Sequence, residues 1–357
     1  MAESETETED GYPSDELSES LPLKYKITSY GADYPVDGLV KRIISGDIKI
    51  PEFQRGYVWS LTKASSFVES LLLGLPVPGI FLSKEQDTEK LLVIDGQQRL
   101  TTLQYFYEGI FKPSGKEFVL RDVQAEFNGA TYKTLGDEDR RRLDDSILHA
   151  TIVKQDEPSE DDSSIYHVFE RLNTGGSLLR PQEIRSAIYH GEFNQLLKEL
   201  NTNKSWRAIF GNLDSRMRDQ ELILRFFALY YRGNKYKKPL REFLNLYMGA
   251  NRHLKYQSAQ ELSGLFDQTI TLVSNSLGND AFKRYRVLNV AVFDSVTVGI
   301  ARRLARGSIA SPKSVKEKYS ELLGNQEFVT ATERTTTDEE MVKTRINLAT
   351  KAFADIQ

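Results

Sequence analysis

The 357-residue chain contains no cysteine and only four histidines. It has no apolar run approaching the roughly 20 residues needed to cross a bilayer. Without thiols, a disulfide scaffold and a thiolate zinc site are both excluded, which fits a reducing compartment. There is no basic-then-apolar leader at the N-terminus, so the expectation is a cytoplasmic protein with no membrane partner. Basic residues are missing from the first twenty positions, "MAESETETEDGYPSDELSES", which hold eight acidic side chains. Like charge and low hydrophobicity cannot offset the entropy of ordering such a segment, so residues 1–22 are expected to form a disordered acidic tail. The whole chain carries −4 and the rest of it therefore a formal +4, which permits a phosphate-bearing partner without requiring one.

Several catalytic signatures are also absent. There is no Gly-x-Ser-x-Gly elbow, no dinucleotide glycine fingerprint and no histidine pair at i, i+4. "GIFKPSGK", residues 109–116, has one residue too many between its glycines for a Walker loop, and Glu117 stands where Ser or Thr should bind Mg²⁺, so a turn is expected. His149, His167, His190 and His253 are scattered and none is closely followed by Pro, which argues against a His-Asn-His nuclease centre and against metal ligation by these histidines.

With 39% hydrophobic and 10% aromatic residues, the chain has ample material for cores. Between residues 23 and 158, β-rich runs ("YKITSY", "GIFLS", "LLVID", "EFVL", "HATIVKQ") alternate with helical ones. "VDGLVKRIISGD" has apolar residues at helical spacing, "SLTKASSFVESLLLGLPVPG" opens on a Ser cap, and a third helix begins near Gln97. In "FNGATYKTLGDEDRRRLDDSIL", Arg140, Arg141 and Arg142 are expected on a solvated helix face. From residue 159 to 357 the strand signal disappears. "SIYHVFERLNTGGSLLRPQEIRSAIYHGEFNQLLKEL" reads as helix, glycine loop and helix with Pro181 in a first turn. Four later segments, among them "RDQELILRFFALYYRG" and "DEEMVKTRINLATKAFADI", carry amphipathic stripes whose aromatics belong to a core. The fold class is therefore α+β, a mixed α/β N-terminal domain followed by an all-helical one.

Three clusters carry chemistry. In "LLVIDGQQRLTTLQYF", residues 91–106, a buried strand ends in Asp95, Gly96, Gln97, Gln98 and Arg99 and runs straight into a helix. A helix N-terminus offers unpaired N–H groups and about half a positive charge, so an anion there is stabilised before any side chain is counted. Gly96 lets the backbone approach, Gln97 and Gln98 can donate or accept, and Arg99 has the planar fork that suits phosphate. Asp95, at the carboxyl end of a strand, could hold Mg²⁺ or orient a water. The plain alternative is an Asp-capped turn with Arg99 salt-bridged at the surface. "IPEFQRGYVWS" sets Gln54 and Arg55 among Phe53, Tyr57 and Trp59, aromatics that either cover a pocket, stack on a base or anchor the loop. "FERLNTGGSLLRPQE" puts Arg171 and Asn173 before a double glycine, a second place for a phosphate contact.

Taken together, "DGQQRLTTL", "IPEFQRGYVW" and "FERLNTGGSLLRPQEI" resemble the N-terminal domain of GmrSD-type restriction endonucleases over roughly residues 30–235. That domain-of-unknown-function family has a fold similar to ParB and sulfiredoxin. The resemblance implies a domain that binds and hydrolyses a nucleoside triphosphate, with Mg²⁺, and that senses or licenses cleavage of modified or invading DNA. It makes Asp95, Gln97, Gln98 and Arg99 the hydrolysis residues; Asp95 is, by its place at the strand end, the candidate metal ligand. Gln54, Arg55, Arg171 and Asn173 match the family's motifs and, on their chemistry, are expected with Gly96, Thr101 and Thr102 to form the nucleotide-binding set. Since the His-Asn-His motif is missing, cleavage would fall to a separate nuclease subunit; an oligomer is compatible with all of this. The alternative reading is a ParB-like module that grips DNA or a nucleotide without turning it over, and a third is a metal-dependent nuclease built on Asp95.

Overall fold

The structure is a computed structural model that describes residues 26–50, 57–85, 88–157, 163–172, 179–284, 287–309 and 311–356. The acidic tail, Gln54, Arg55 and Asn173 lie outside the described residues. The chain divides into two compact units, meeting in sequence at Leu179 and Arg180.

The α/β unit is organised on a five-stranded mixed sheet in the order β1-β7-β3-β4-β2. Strand β1 (Lys26–Pro35) leads into helix α1 (Val36–Ile44), then β2 (Ile48–Lys49), α2 (Leu61–Leu72), β3 (Ile80–Lys84), β4 (Leu91–Asp95) and α3 (Gln97–Glu108). A small hairpin, β5 (Ile110–Phe111) and β6 (Lys116–Glu117), precedes α4 (Asp137–Asp145), β7 (Ile147–Glu157) and α5 (Ser163–Leu172). β7 is antiparallel to β1 and parallel to β3, β3 is antiparallel to β4, and β4 is parallel to β2. Local chemistry sets these elements. The Ser60 hydroxyl accepts from the Lys63 N–H at 3.2 Å and opens α2, as a Ser cap should. Leu91 and Val93 of β4 join Val68, Leu100, Leu103 and Phe106 in one apolar core, while the alternate residues Leu92 and Ile94 are buried outside it. The strand is thus covered on both faces, and α5 packs against both β4 and β7. That packing places α5 with the sheet, so the boundary between the units falls after Leu179 and not at residue 158.

Two local expectations are corrected. "EFVL", 117–120, does not form a strand of the sheet: only Glu117 is paired, to Ile110 in the hairpin, and Phe118 and Leu120 are buried in the core. β2 has no signature in the sequence, because two residues are too few to show a period. The "GIFKPSGK" stretch is a turn, as expected: Gly109 caps α3 in the left-handed region and the rest makes the β5–β6 hairpin.

The helical unit contains α6 (Pro181–Ile188), α7 (Glu192–Leu200), α8 (Lys204–Phe210), α9 (Arg218–Arg232), α10 (Leu240–Ala250), α11 (Ala259–Leu277), α12 (Val290–Leu304), α13 (Pro312–Leu323), α14 (Gln326–Glu333) and α15 (Glu339–Phe353). A hairpin of β8 (Lys283–Arg284) and β9 (Val287–Leu288) comes before α12. α12 is the central helix, packed against α9, α11, α14 and α15, with every residue from Ala291 to Ala301 buried. Its buried polar groups are satisfied. The Ser295 and Thr297 hydroxyls donate to the Ala291 and Phe293 carbonyls at 2.7 Å, and Asp294 accepts from Arg225 at 2.7 and 3.1 Å and from Arg345 at 3.4 Å. Gly299 lets α15 approach closely, since a Cβ there would lie 2.9 Å from the Ala349 backbone. Among the described residues, no helix is long and apolar enough to cross a membrane.

Candidate functional site

The turn from β4 to α3 depends on a glycine. Gly96 has φ +100°, in the left-handed region, and an added Cβ would sit 2.4 Å from Ile80 Cγ2 on the neighbouring strand. A residue without a side chain is needed both for the conformation and for the packing. As the cap of α3, Gly96 offers no side-chain acceptor, so of the plain alternative the Asp cap is not what opens this helix.

Asp95 and Arg99 meet across that turn. Arg99 donates from Nη2 to Asp95 Oδ2 at 2.6 Å and from Nη1 to the Pro78 carbonyl at 3.2 Å. The Arg99 side chain is 13% exposed and that of Asp95 47% exposed. The pair therefore lies at an open edge, neither sealed in nor pointing into bulk solvent. Asp95 Oδ1 accepts no hydrogen bond among the described residues. An arginine has five N–H donors, so two such bonds leave donors free for an anion.

Gln98 has a different task. Its Oε1 accepts from the backbone N–H groups of Val58 at 3.0 Å and Trp59 at 3.4 Å. One turn later, the Thr102 hydroxyl pairs with the Tyr57 phenol at 2.7 Å and donates to the Gln98 carbonyl at 2.7 Å. Tyr57 packs on Tyr105 and Phe111, and Trp59 lies edge-on to Phe67 with the Lys63 ammonium 5.0 Å from its ring. Burial pushes the Tyr57 phenol up to about 12. Of the uses open to these aromatics, the structure shows the anchoring one for Tyr57 and Trp59, which fasten residues 57–60 to α3 and the core. Thr101 is buried as well, and Gln97 is half-buried at the first turn.

The other expected residues are placed as follows. Arg171 is exposed in the last turn of α5. Arg140 and Arg142 pair with Asp137 and Glu138 on the solvated side of α4. The histidines stay apart: His149 meets Asp33 at 2.8 Å, His253 meets Glu192 at 2.8 Å, His190 is within reach of Arg252, and His167 lies 3.5 Å from Glu170. Among the described residues, no group of three or more His, Asp or Glu is arranged to hold a metal ion.

Two participants could not be foreseen from the sequence. Pro78 contributes its carbonyl, and Ile80 sets the glycine requirement. "LPVPG" before β3 reads as a helix stop, and its Pro and Gly content gives the one signal that the backbone there is fixed.

Residues 36–190 match the model of the GmrSD restriction endonuclease N-terminal domain. This segment belongs to that domain family. The GmrSD domain so defined takes in α1 through α6, hence the whole Asp95–Arg99 turn, Tyr57, Trp59 and Arg171. A stretch of 100 aligned residues is also 31% identical to an uncharacterized protein of Methanocaldococcus jannaschii, covering 21% of this chain and 17% of that protein. The chain thus matches only about a sixth of that relative's length.

Proposed function

We propose that the protein is the nucleotide-hydrolysing regulatory subunit of a DNA restriction or defence system and works with a separate nuclease. In this reading the α/β unit is a ParB- and sulfiredoxin-like module, and a nucleoside triphosphate lies against the N-terminus of α3. The observation that supports it most is the Asp95–Arg99 turn: a helix start without a side-chain cap, a glycine that brings the backbone close, and an arginine held at an open edge. The first N–H groups of α3 and the remaining donors of Arg99 offset charge on the phosphates. Gln97 positions the attacking water in line with the transferred phosphorus. Gln98 and Thr102 position the segment that follows Gln54 and Arg55.

Asp95 fits one role of a Mg²⁺ ligand. An ion of this kind commonly uses one or two carboxylates together with substrate phosphates, and Asp95 Oδ1 accepts no hydrogen bond among the described residues. When bound, the ion would neutralise phosphate charge.

The test is phosphate release from nucleoside triphosphates by the full chain and by Asp95→Ala and Arg99→Ala variants with native circular dichroism. Loss of turnover in both supports the assignment; unchanged release overturns it. A second reading, a nucleotide- or DNA-gripping module without turnover, is favoured by one observation. Arg99 and Gln98 already make internal hydrogen bonds, which is what a structural motif would do. Nucleotide binding without any phosphate release from the wild-type protein would select it.

A further inference from the structure

The charge of the chain is divided between its units in a way that the small overall value conceals. Residues 180–357 hold 28 Lys and Arg against 19 Asp and Glu, a formal +9, whereas residues 25–179 hold 18 against 24, a formal −6. Much of the excess is local. Between residues 232 and 256 there are seven Lys and Arg and a single acid, Glu242.

We propose that this corner of the helical unit, the end of α9 with the loops on either side of α10, is a docking surface for the phosphate backbone of duplex DNA. Two of its cations flank one exposed ring. Tyr256, 55% exposed, has the Arg232 guanidinium 5.5 Å and the Lys255 ammonium 5.9 Å from its ring centroid. Lys235 and Lys237 are exposed in the turn that follows Arg232. None of Arg232, Lys235, Lys237 and Lys255 forms an ion pair among the described residues. The remaining cations of the stretch are engaged: Lys238 pairs with Asp338 at 3.2 Å, Arg241 lies buried beside Glu242 at 3.9 Å, and Arg252 donates to the His190 carbonyl at 2.7 Å. The nearby acids are likewise in use, Glu261 by the Tyr231 hydroxyl and Glu192 by His253. What is left is Arg232 and Lys255 beside the Tyr256 ring and two exposed lysines, Lys235 and Lys237, in the turn that follows Arg232, the kind of donors that phosphate oxygens take. The choice of DNA as the polyanion rests on the restriction-system reading; the location of the surface does not depend on the α3 site.

The experiment is fluorescence anisotropy of a labelled duplex titrated with the full chain over about 50 to 200 mM salt. In a Lys235→Gln, Lys237→Gln, Lys255→Gln triple variant, affinity should fall at least about tenfold and the slope of log affinity against log salt should flatten by about 0.9 for each phosphate no longer neutralised. The matching triple Lys→Arg variant should restore both, and Lys238→Gln should change the slope least. Wild-type affinity and slope in the Gln variant would overturn the proposal, as would wild-type binding to phosphatidylserine vesicles but not to duplex. Nucleotide hydrolysis measured without DNA separates the two ideas. Absent wild-type turnover with a DNA defect in the triple variant removes the α3 reading alone, while normal turnover with no DNA defect removes this surface alone.

Discussion

Among the described residues, the α/β unit buries one paired carboxylate, Glu85 beside Lys49, and its other ion pairs keep at least one partner exposed or half-exposed, as Asp95–Arg99 does. The helical unit seals whole pairs, Arg185 against Glu221, and Arg225 and Arg345 against Asp294. A buried pair must be balanced completely, because an ion left alone in the interior costs several kcal/mol. A half-exposed pair is under no such constraint and can be opened by a ligand. The same residue types therefore act as scaffold in one unit and, in the proposed reading, as an available site in the other.

The contrast is broken most forcefully at Asp294. Asp294→Ala leaves two guanidiniums buried with no carboxylate, and Arg345, which burial already holds below its usual value, loses the carboxylate it shares with Arg225. The expected loss is about 3–5 kcal/mol in urea unfolding. A loss below about 1 kcal/mol, the value of a surface pair, would mean that the interior of this unit tolerates free charge and that the distinction between the units is empty.

Gly96→Ala follows in size. The left-handed backbone costs about 1–2 kcal/mol for a residue with a Cβ, and the overlap with Ile80 adds about 1–3 kcal/mol. Adding Ile80→Ala should remove the overlap but not the backbone cost, so the double variant should be more stable than the sum of the two single changes predicts. Strict additivity would show that the β3 neighbour does not enforce the glycine.

How much of this is legible in the sequence follows the same division. The strands at 26–30, 80–84, 91–95 and 149–155 are readable because short runs rich in β-branched and aromatic residues are bounded by turn residues or charges, and the helices beside them because their apolar residues recur at helical spacing. The Asp95–Arg99 turn stands out for the same reason, as polar residues directly after a buried run. α12 is not legible: "VAVFDSVTVGIARRL" is covered on all sides, so no polar stripe marks a helical period, and its Val and Thr content favours the opposite assignment. Nor can the partners of Gln98 be foreseen, since Val58 and Trp59 lie about forty residues away in the chain. The Arg225–Asp294–Arg345 cluster is invisible for that reason too.

The link from α3 to residues 57–60 gives a smaller effect. Tyr57→Phe removes the 2.7 Å bond to Thr102 and should cost about 1 kcal/mol near neutral pH. The sign of the pH dependence is fixed by burial. With the folded phenol at about 12 against 10.0 for an unperturbed one, its contribution is present below pH 10 and is lost as pH rises through 12. The stability difference between wild type and Tyr57→Phe should therefore shrink over that range; a constant difference would show that the ring, and not the hydroxyl, does the anchoring.

The smallest stability effect should come from the residue with the largest proposed role. Asp95→Asn removes the negative partner of Arg99, yet the carboxylate is 47% exposed, so the change in unfolding free energy should stay under about 1 kcal/mol. The chemical effect should be larger and of mixed sign. Without Mg²⁺, removing an anion beside the helix start should tighten nucleoside triphosphate binding, because Arg99 is released and no carboxylate repels the phosphates. With Mg²⁺, turnover should fall, since the candidate ligand is gone. Tighter metal-free binding together with lost turnover would set Asp95 apart from Asp294 by function as well as by burial. Unchanged binding and turnover would place Asp95–Arg99 with the structural pairs, only nearer the surface.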